Sequence, residues 1–144
     1  MRERTSWRSK GIRALAAFFA AGALVSFASC VSLLTPHGPL EPMWRLNPRA
    51  REAFARWGSL SPILLAGVSI ACAFSSAGLW RRRVWGYRLA VAMFIVNLVA
   101  DLANVILGTE PRALFGVPIV AALLVYLGQP QTRSLFREGM GTPQ

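Results

Sequence analysis

The stretch LAVAMFIVNLVADLANVILG, residues 89–108, decides how the rest of the chain is read. It is apolar except for Asn97, Asp101 and Asn104. At about 1.5 Å per residue, a helix of this length covers the ~30 Å hydrocarbon core of a bilayer. A bilayer offers no water to backbone N–H and C=O groups, so such a run closes its own hydrogen bonds as a helix. Three further apolar runs follow the same logic, at Ala14–Leu34, Leu60–Trp80 and Pro111–Gly128. The last is marginal in length and contains Pro118, which predicts a short or kinked helix. No segment alternates like a barrel strand. The expected fold class is therefore all-α. A single polytopic membrane domain covers 1–144, an antiparallel bundle of four transmembrane helices at about 14–34, 60–80, 89–108 and 111–128.

The charge pattern agrees with this reading. The chain has 16 Lys+Arg against 6 Asp+Glu, a net charge of +10, with 54% of residues hydrophobic. In a soluble protein that excess would suggest nucleic acid, but such binding needs a basic stripe on a folded surface. Here the arginines flank apolar runs, so no nucleic-acid partner is expected and the bilayer is. Basic residues collect in the N-terminal tail, 1–13, in the second loop and in the C-terminal tail, 129–144. With four spans these three segments share one side, and the positive-inside bias makes it the cytoplasm. The first loop also holds Arg45, Arg49, Arg51 and Arg56, diluted by Glu41 and Glu52, and the third holds Arg112 beside Glu110. The expected location is the bacterial inner membrane, with both termini cytoplasmic.

The first outer loop, 35–59, opens with TPHGPLEPMWRLNP, whose four prolines predict irregular backbone. NPRAREAFARW follows. Asn47 is a good N-cap and Pro48 fits the first helical position. Ala50, Ala53, Phe54 and Trp57 share one face, opposite Arg49, Glu52 and Arg56. This spacing predicts a short amphipathic helix at about 48–57, lying on the membrane surface or packed over the end of the bundle. Phe54 and Trp57 are its interface anchors. Ser61–Pro62 and Thr109–Pro111 look like cap-plus-proline starts for the second and fourth spans.

WRRRVWGYR, residues 80–88, reads as the second loop. Trp80, Trp85 and Tyr87 suit the headgroup level, and Arg81, Arg82, Arg83 and Arg88 suit the cytoplasmic leaflet. The segment is expected to anchor topology; a dedicated lipid or partner site is the alternative. Small residues recur every fourth position in the first and second spans, as in Gly67, Ala71 and Ser75, which predicts close helix packing.

Cys30 and Cys72 lie at different depths, so no disulfide is expected. No cysteine, histidine or carboxylate spacing suggests a metal, and His37 reads as a solvated loop residue. FASC, residues 27–30, resembles the cleavage box of a bacterial lipoprotein signal. Phe27 is large for that box, and the apolar run continues through VSLL, so an intact first span is the expectation.

Asn97, Asp101 and Asn104 fall within about 60° of one another on a helical wheel. Ile95, Val96, Val99, Leu102 and Ile106 occupy the opposite face. Intramembrane ionisable groups nearly always face the protein interior, and an Asp at a span centre costs about 3 kcal/mol on insertion scales. Partners at similar depth are Ser26, Ser29 and Ser69. These six residues form the candidate polar site. It is read first as hydrogen-bonded helix packing, and otherwise as a proton or cation site or a contact to a partner subunit.

WRLNPRAREAF, GLWRRRVWGYRLAV, NLVADLAN and LFGVPI, taken in order, resemble a family of small bacterial four-helix integral membrane proteins with no assigned activity. The resemblance spans about Trp44 to Leu127 and implies four spans. The expected role is structural or accessory, with a membrane-protein partner or a second copy of the chain, and no cofactor. The alternative is a small transporter or channel subunit using Asp101. An enzyme is disfavoured, because paired carboxylates and a nucleophile–histidine pair are lacking in the sequence.

Overall fold

The computed structural model describes residues 2–106 and 113–137. Among these, every regular element is helical. They are α1 Arg2–Leu34, a 3-10 helix Glu41–Leu46, α2 Pro48–Trp57, α3 Leu60–Trp80, α4 Val84–Ile106, α5 Ala113–Gly128 and α6 Pro130–Arg137. Three stretches are long and apolar enough to cross a membrane: Lys10–Leu34 within α1, α3 and α4. The fourth candidate, α5, has 16 residues and contains Pro118. Over the described residues it is about 24 Å long, against a ~30 Å hydrocarbon core. The expected start of the fourth span at Thr109–Pro111, and positions 107–108 of the expected third, lie outside the described residues.

The chain forms two compact units, Ala17–Ala73 and Met1–Ala16 with Phe74–Gln144. In the first, the later part of α1 packs on the earlier part of α3. The Ser69 hydroxyl donates to the Ala23 carbonyl at 2.9 Å, and the Cys30 thiol to the Pro62 carbonyl at 3.3 Å. The two contacts are seven residues apart on each helix and run in opposite directions, so the helices are antiparallel with a heptad-like repeat. Ala23, Cys30, Leu65 and Cys72 are buried along this seam. Small side chains on α1 let a serine of α3 reach main chain, as close-packed membrane helices require.

α1 stops where Pro36 disfavours helical backbone at the preceding residue. The Thr35 hydroxyl donates to the Val31 carbonyl, and the Gly38 N–H to the Thr35 carbonyl at 3.0 Å. His37 takes the positive-φ position of this turn, φ 65°. The proline-rich segment, expected to be irregular throughout, then forms the 3-10 helix, because one of its residues is drawn inward. Trp44 is buried, its indole N–H donates to the Ser32 hydroxyl at 2.9 Å, and its ring meets Phe54 edge-on at 6.1 Å. α2 begins with the Asn47 side chain accepting from the Ala50 N–H at 3.2 Å. It ends at Gly58, φ 54°, and the Ser61 hydroxyl of α3 reaches back to the Phe54 carbonyl.

In the second unit, α3 ends in a Schellman motif. The Arg83 N–H donates to the Gly78 carbonyl at 2.8 Å, and the Arg82 N–H to the Leu79 carbonyl at 3.1 Å. Arg82 holds the left-handed position, φ 51°, where glycine is usual. Only Arg81–Arg83 separate α3 from α4. The loop expected at 80–88 is thus corrected: Trp80 closes α3, and Trp85, Tyr87 and Arg88 belong to the first turns of α4. Tertiary packing explains the difference. Gly78 and Gly86 are so close that a Cβ on either would overlap the other's Cα. Trp85 meets Phe74 edge-on at 6.3 Å.

α4 and α5 are antiparallel. Late α4 meets early α5 at Asp101 and Gly116, while the Tyr87 hydroxyl of early α4 donates to the Leu127 carbonyl of late α5 at 3.0 Å. Gly86, Ala90 and Phe94 form the buried row of α4. Ile95, Val96, Val99, Leu102 and Ile106 are exposed. The C-terminal tail, expected at 129–144, carries α6, whose Phe136 ring lies 5.0 Å from that of Tyr87. The N-terminal tail is likewise helical from Arg2, and the Ser76 hydroxyl donates to the Ala16 carbonyl at 2.8 Å.

Candidate functional site

Asp101 lies three turns beyond Ala90 on α4, in a stretch whose outward face is apolar. Its carboxylate is half-buried and set against α5 at Gly116. A Cβ built on Gly116 would lie 2.8 Å from Asp101 Oδ2, so the missing side chain is what admits the carboxylate. Asn104 is half-buried one turn on, whereas Asn97, expected on the same inner face, is exposed.

The expected serine partners are placed in the other unit, Ala17–Ala73. Ser29 is buried and donates to the Val25 carbonyl of its own helix at 2.8 Å. Ser69 donates to Ala23, as described, and Ser26 is half-buried. The hydroxyls of Ser29 and Ser69 are thus committed to main-chain carbonyls. Among the described residues, no group of three or more His, Cys, Asp or Glu side chains gathers into a metal-binding arrangement.

The expected interface anchors divide in two. Trp57, Trp80, Trp85, Arg81, Arg82, Arg83 and Arg88 are exposed. Phe54 and Tyr87 are half-buried and serve packing, on Trp44 and on Leu127 with Phe136 respectively. Trp44 is a packing residue that no motif announced; its lone aromatic ring among prolines was the available signal. Arg133, expected only as one of the basic residues of the C-terminal tail, lines a cleft with Arg88.

A second cleft, of 720 Å³, lies in the 35–59 segment and includes Trp44, Glu41, Arg45, Arg51 and Glu52. Its charges are mixed. Glu41 pairs with Arg51, and His37 lies 3.5 Å from the second Glu41 oxygen. The Arg51 hydrogen bond, helped by the charges of Arg51 and His37 and opposed by partial desolvation, holds the Glu41 carboxyl below its ordinary 4.5.

No family model, curated protein or solved structure matches this chain. The site is therefore read from its own geometry.

Proposed function

We propose that the chain is a small integral protein of the bacterial inner membrane with a structural or accessory role, non-enzymatic, and with both termini cytoplasmic. One observation carries the reading. Two serines inside the apolar helices spend their hydroxyls on helix packing, Ser69 on Ala23 and Ser76 on Ala16, and Asp101 lies over Gly116. Such contacts hold membrane helices together, each interhelical hydrogen bond contributing about 0.6–2 kcal/mol. Apart from Asn97, the outward faces of the long helices are largely apolar, including Leu24, Phe27, Ile63, Ile70, Val96 and Ile106, as contact with lipid requires. The antiparallel return of α5 brings α6 to the Tyr87 end of α4, beside Arg88, which supports a shared side for the second loop and the C-terminal segment.

The half-buried carboxylate of Asp101 favours a second reading, a proton or cation site in a small transporter or channel subunit. One experiment separates the two. Wild type, Asp101→Asn and Asp101→Leu are compared for accumulation in native membranes and for thermal stability in detergent from pH 5 to 8. For a packing role, Asn matches wild type at every pH while Leu collapses. A stability shift with pH or added cation, seen in wild type and absent from Asn, transfers the assignment to ion binding.

A further inference from the structure

A cleft of 420 Å³ opens beside the first half of α4. At one end its wall is Tyr87 and Arg88 of α4 and Arg133 of α6. α6 is fixed there by its buried Thr132 and Phe136 and by the Phe136–Tyr87 ring contact, which brings Arg133 to the same cleft as Arg88. Both arginines are exposed, and neither pairs with a carboxylate among the described residues. Over residues 10–16, 74–106 and 115–134 the only acidic side chain is Asp101. It stands about 20 Å further along α4. The exposed Arg81, Arg82 and Arg83 make this end of the unit more positive still.

Deeper along α4 the wall becomes apolar, formed by Val91, Ala92 and Ile95. From Arg88 to Ile95 is about 10 Å along the helix axis. The cleft is therefore cationic at the end of a span and greasy for the next two turns. We propose that it binds an anionic phospholipid from the surrounding bilayer, with the phosphate between Arg88 and Arg133 and one acyl chain along Val91 and Ile95. Free phosphate would leave the apolar wall uncovered, and an apolar protein helix would leave both guanidinium groups without a counter-charge. A lipid satisfies both ends at once. The proposal rests on the reading of the chain as an integral membrane protein.

The test uses the full chain reconstituted in phosphatidylcholine vesicles carrying a trace of spin-labelled phosphatidylglycerol or spin-labelled phosphatidylcholine. Electron paramagnetic resonance gives the fraction of each label held immobile. Wild type is expected to hold phosphatidylglycerol in preference. That preference should fall about tenfold for each arginine removed in Arg88→Gln and Arg133→Gln, the effect of losing one direct hydrogen bond to a charged phosphate. The control pair Arg81→Gln and Arg82→Gln removes equal charge outside the cleft and should leave most of the preference. Ala92→Phe, which fills the apolar wall with both arginines intact, should also reduce it. Equal losses in the two arginine pairs would reduce the effect to general surface charge and overturn the proposal. Full competition by inorganic phosphate, or no effect of Ala92→Phe, would remove the acyl chain from it. An alkaline wash of the same vesicles keeps the two readings apart. A chain that washes off defeats the membrane reading, whereas one that stays but shows no preference defeats the lipid site alone.

Discussion

The carboxylate of Asp101 on α4 rests against Gly116 on α5, in space that a side chain at Gly116 would occupy. Gly116→Ala should therefore force the carboxylate aside. The clash is with the end of a side chain, and alanine favours the helix, so the net cost should stay at about 1 kcal/mol or less. Asp101→Ala should relieve the clash and leave only the helix gain, so a double-mutant cycle read by unfolding in detergent should give a coupling energy of about 0.5 kcal/mol or more. Additive effects would place the two residues out of contact.

Ser69 and Ser76 of α3 each donate to a carbonyl of α1. In sequence the two serines are seven residues apart, as are their acceptors Ala23 and Ala16. Ser69→Ala and Ser76→Ala should each lower unfolding free energy by about 0.6 kcal/mol, the average for such bonds in membrane proteins. Ser69→Leu should cost more, about 1–3 kcal/mol, because it also drives the backbones apart. Steric-trapping measurements in bicelles have the resolution to rank the three.

At the α3–α4 corner two substitutions should act in opposite directions. Arg82 sits at φ 51°, so Arg82→Gly should relieve left-handed strain of about 1 kcal/mol and raise the melting temperature. Gly78→Ala sets a Cβ against the backbone of Gly86, which has no rotamer to yield. It should destabilise by about 3 kcal/mol or more. Equal melting temperatures for wild type and Gly78→Ala would mean that the two helices do not touch there.

The Glu41–Arg51 pair ties the 3-10 helix to α2. The Glu41 carboxyl is held below its ordinary value, so its contribution is present above about pH 4.5 and is lost as pH falls through the lowered value. The pair is exposed, and its effect is local rather than global. Protection factors of the amides in residues 41–57, taken relative to intrinsic exchange at each pH, should fall on acidification below pH 4.5, and Arg51→Gln should show the lower protection already at neutral pH. Trp44→Ala should loosen the same segment at every pH by a larger amount, since it empties a buried site and leaves Ser32 without its donor.

What the sequence discloses here follows from how local the physics is. Desolvation acts residue by residue, so the apolar runs were legible as long helices. Asn47 and Pro48 were legible as a helix start because a cap needs only its own first turn. The beginning of α4 was not. Trp85, Tyr87 and Arg88 carry the chemistry of an interface, and only the meeting of Gly86 with Gly78 and of Tyr87 with Leu127 draws them into the first turns of a helix. Nor was α6 visible, since its apolar residues acquire meaning only beside Tyr87. The wheel that grouped Asn97 with Asp101 gave direction correctly in angle, but cover is set by the neighbouring helix. Gly116 and its surroundings reach Asp101 and leave Asn97 exposed.

The unequal lengths of α4 and α5 bear on the lipid around them. α4 has 23 residues and α5 has 16, packed side by side. Arg88 and the residues before it sit at the end of α4, so its described apolar wall, residues 89–106, stands about 27 Å tall against about 24 Å for α5. Where the bilayer is thicker than these described walls, acyl chains on that flank must shorten or headgroups must dip, at a cost of fractions of a kcal/mol per Å. Such a pair is least strained in a thin membrane, or where a second protein covers the short side. Bilayer thickness thus becomes a variable to which this chain responds with no moving part of its own.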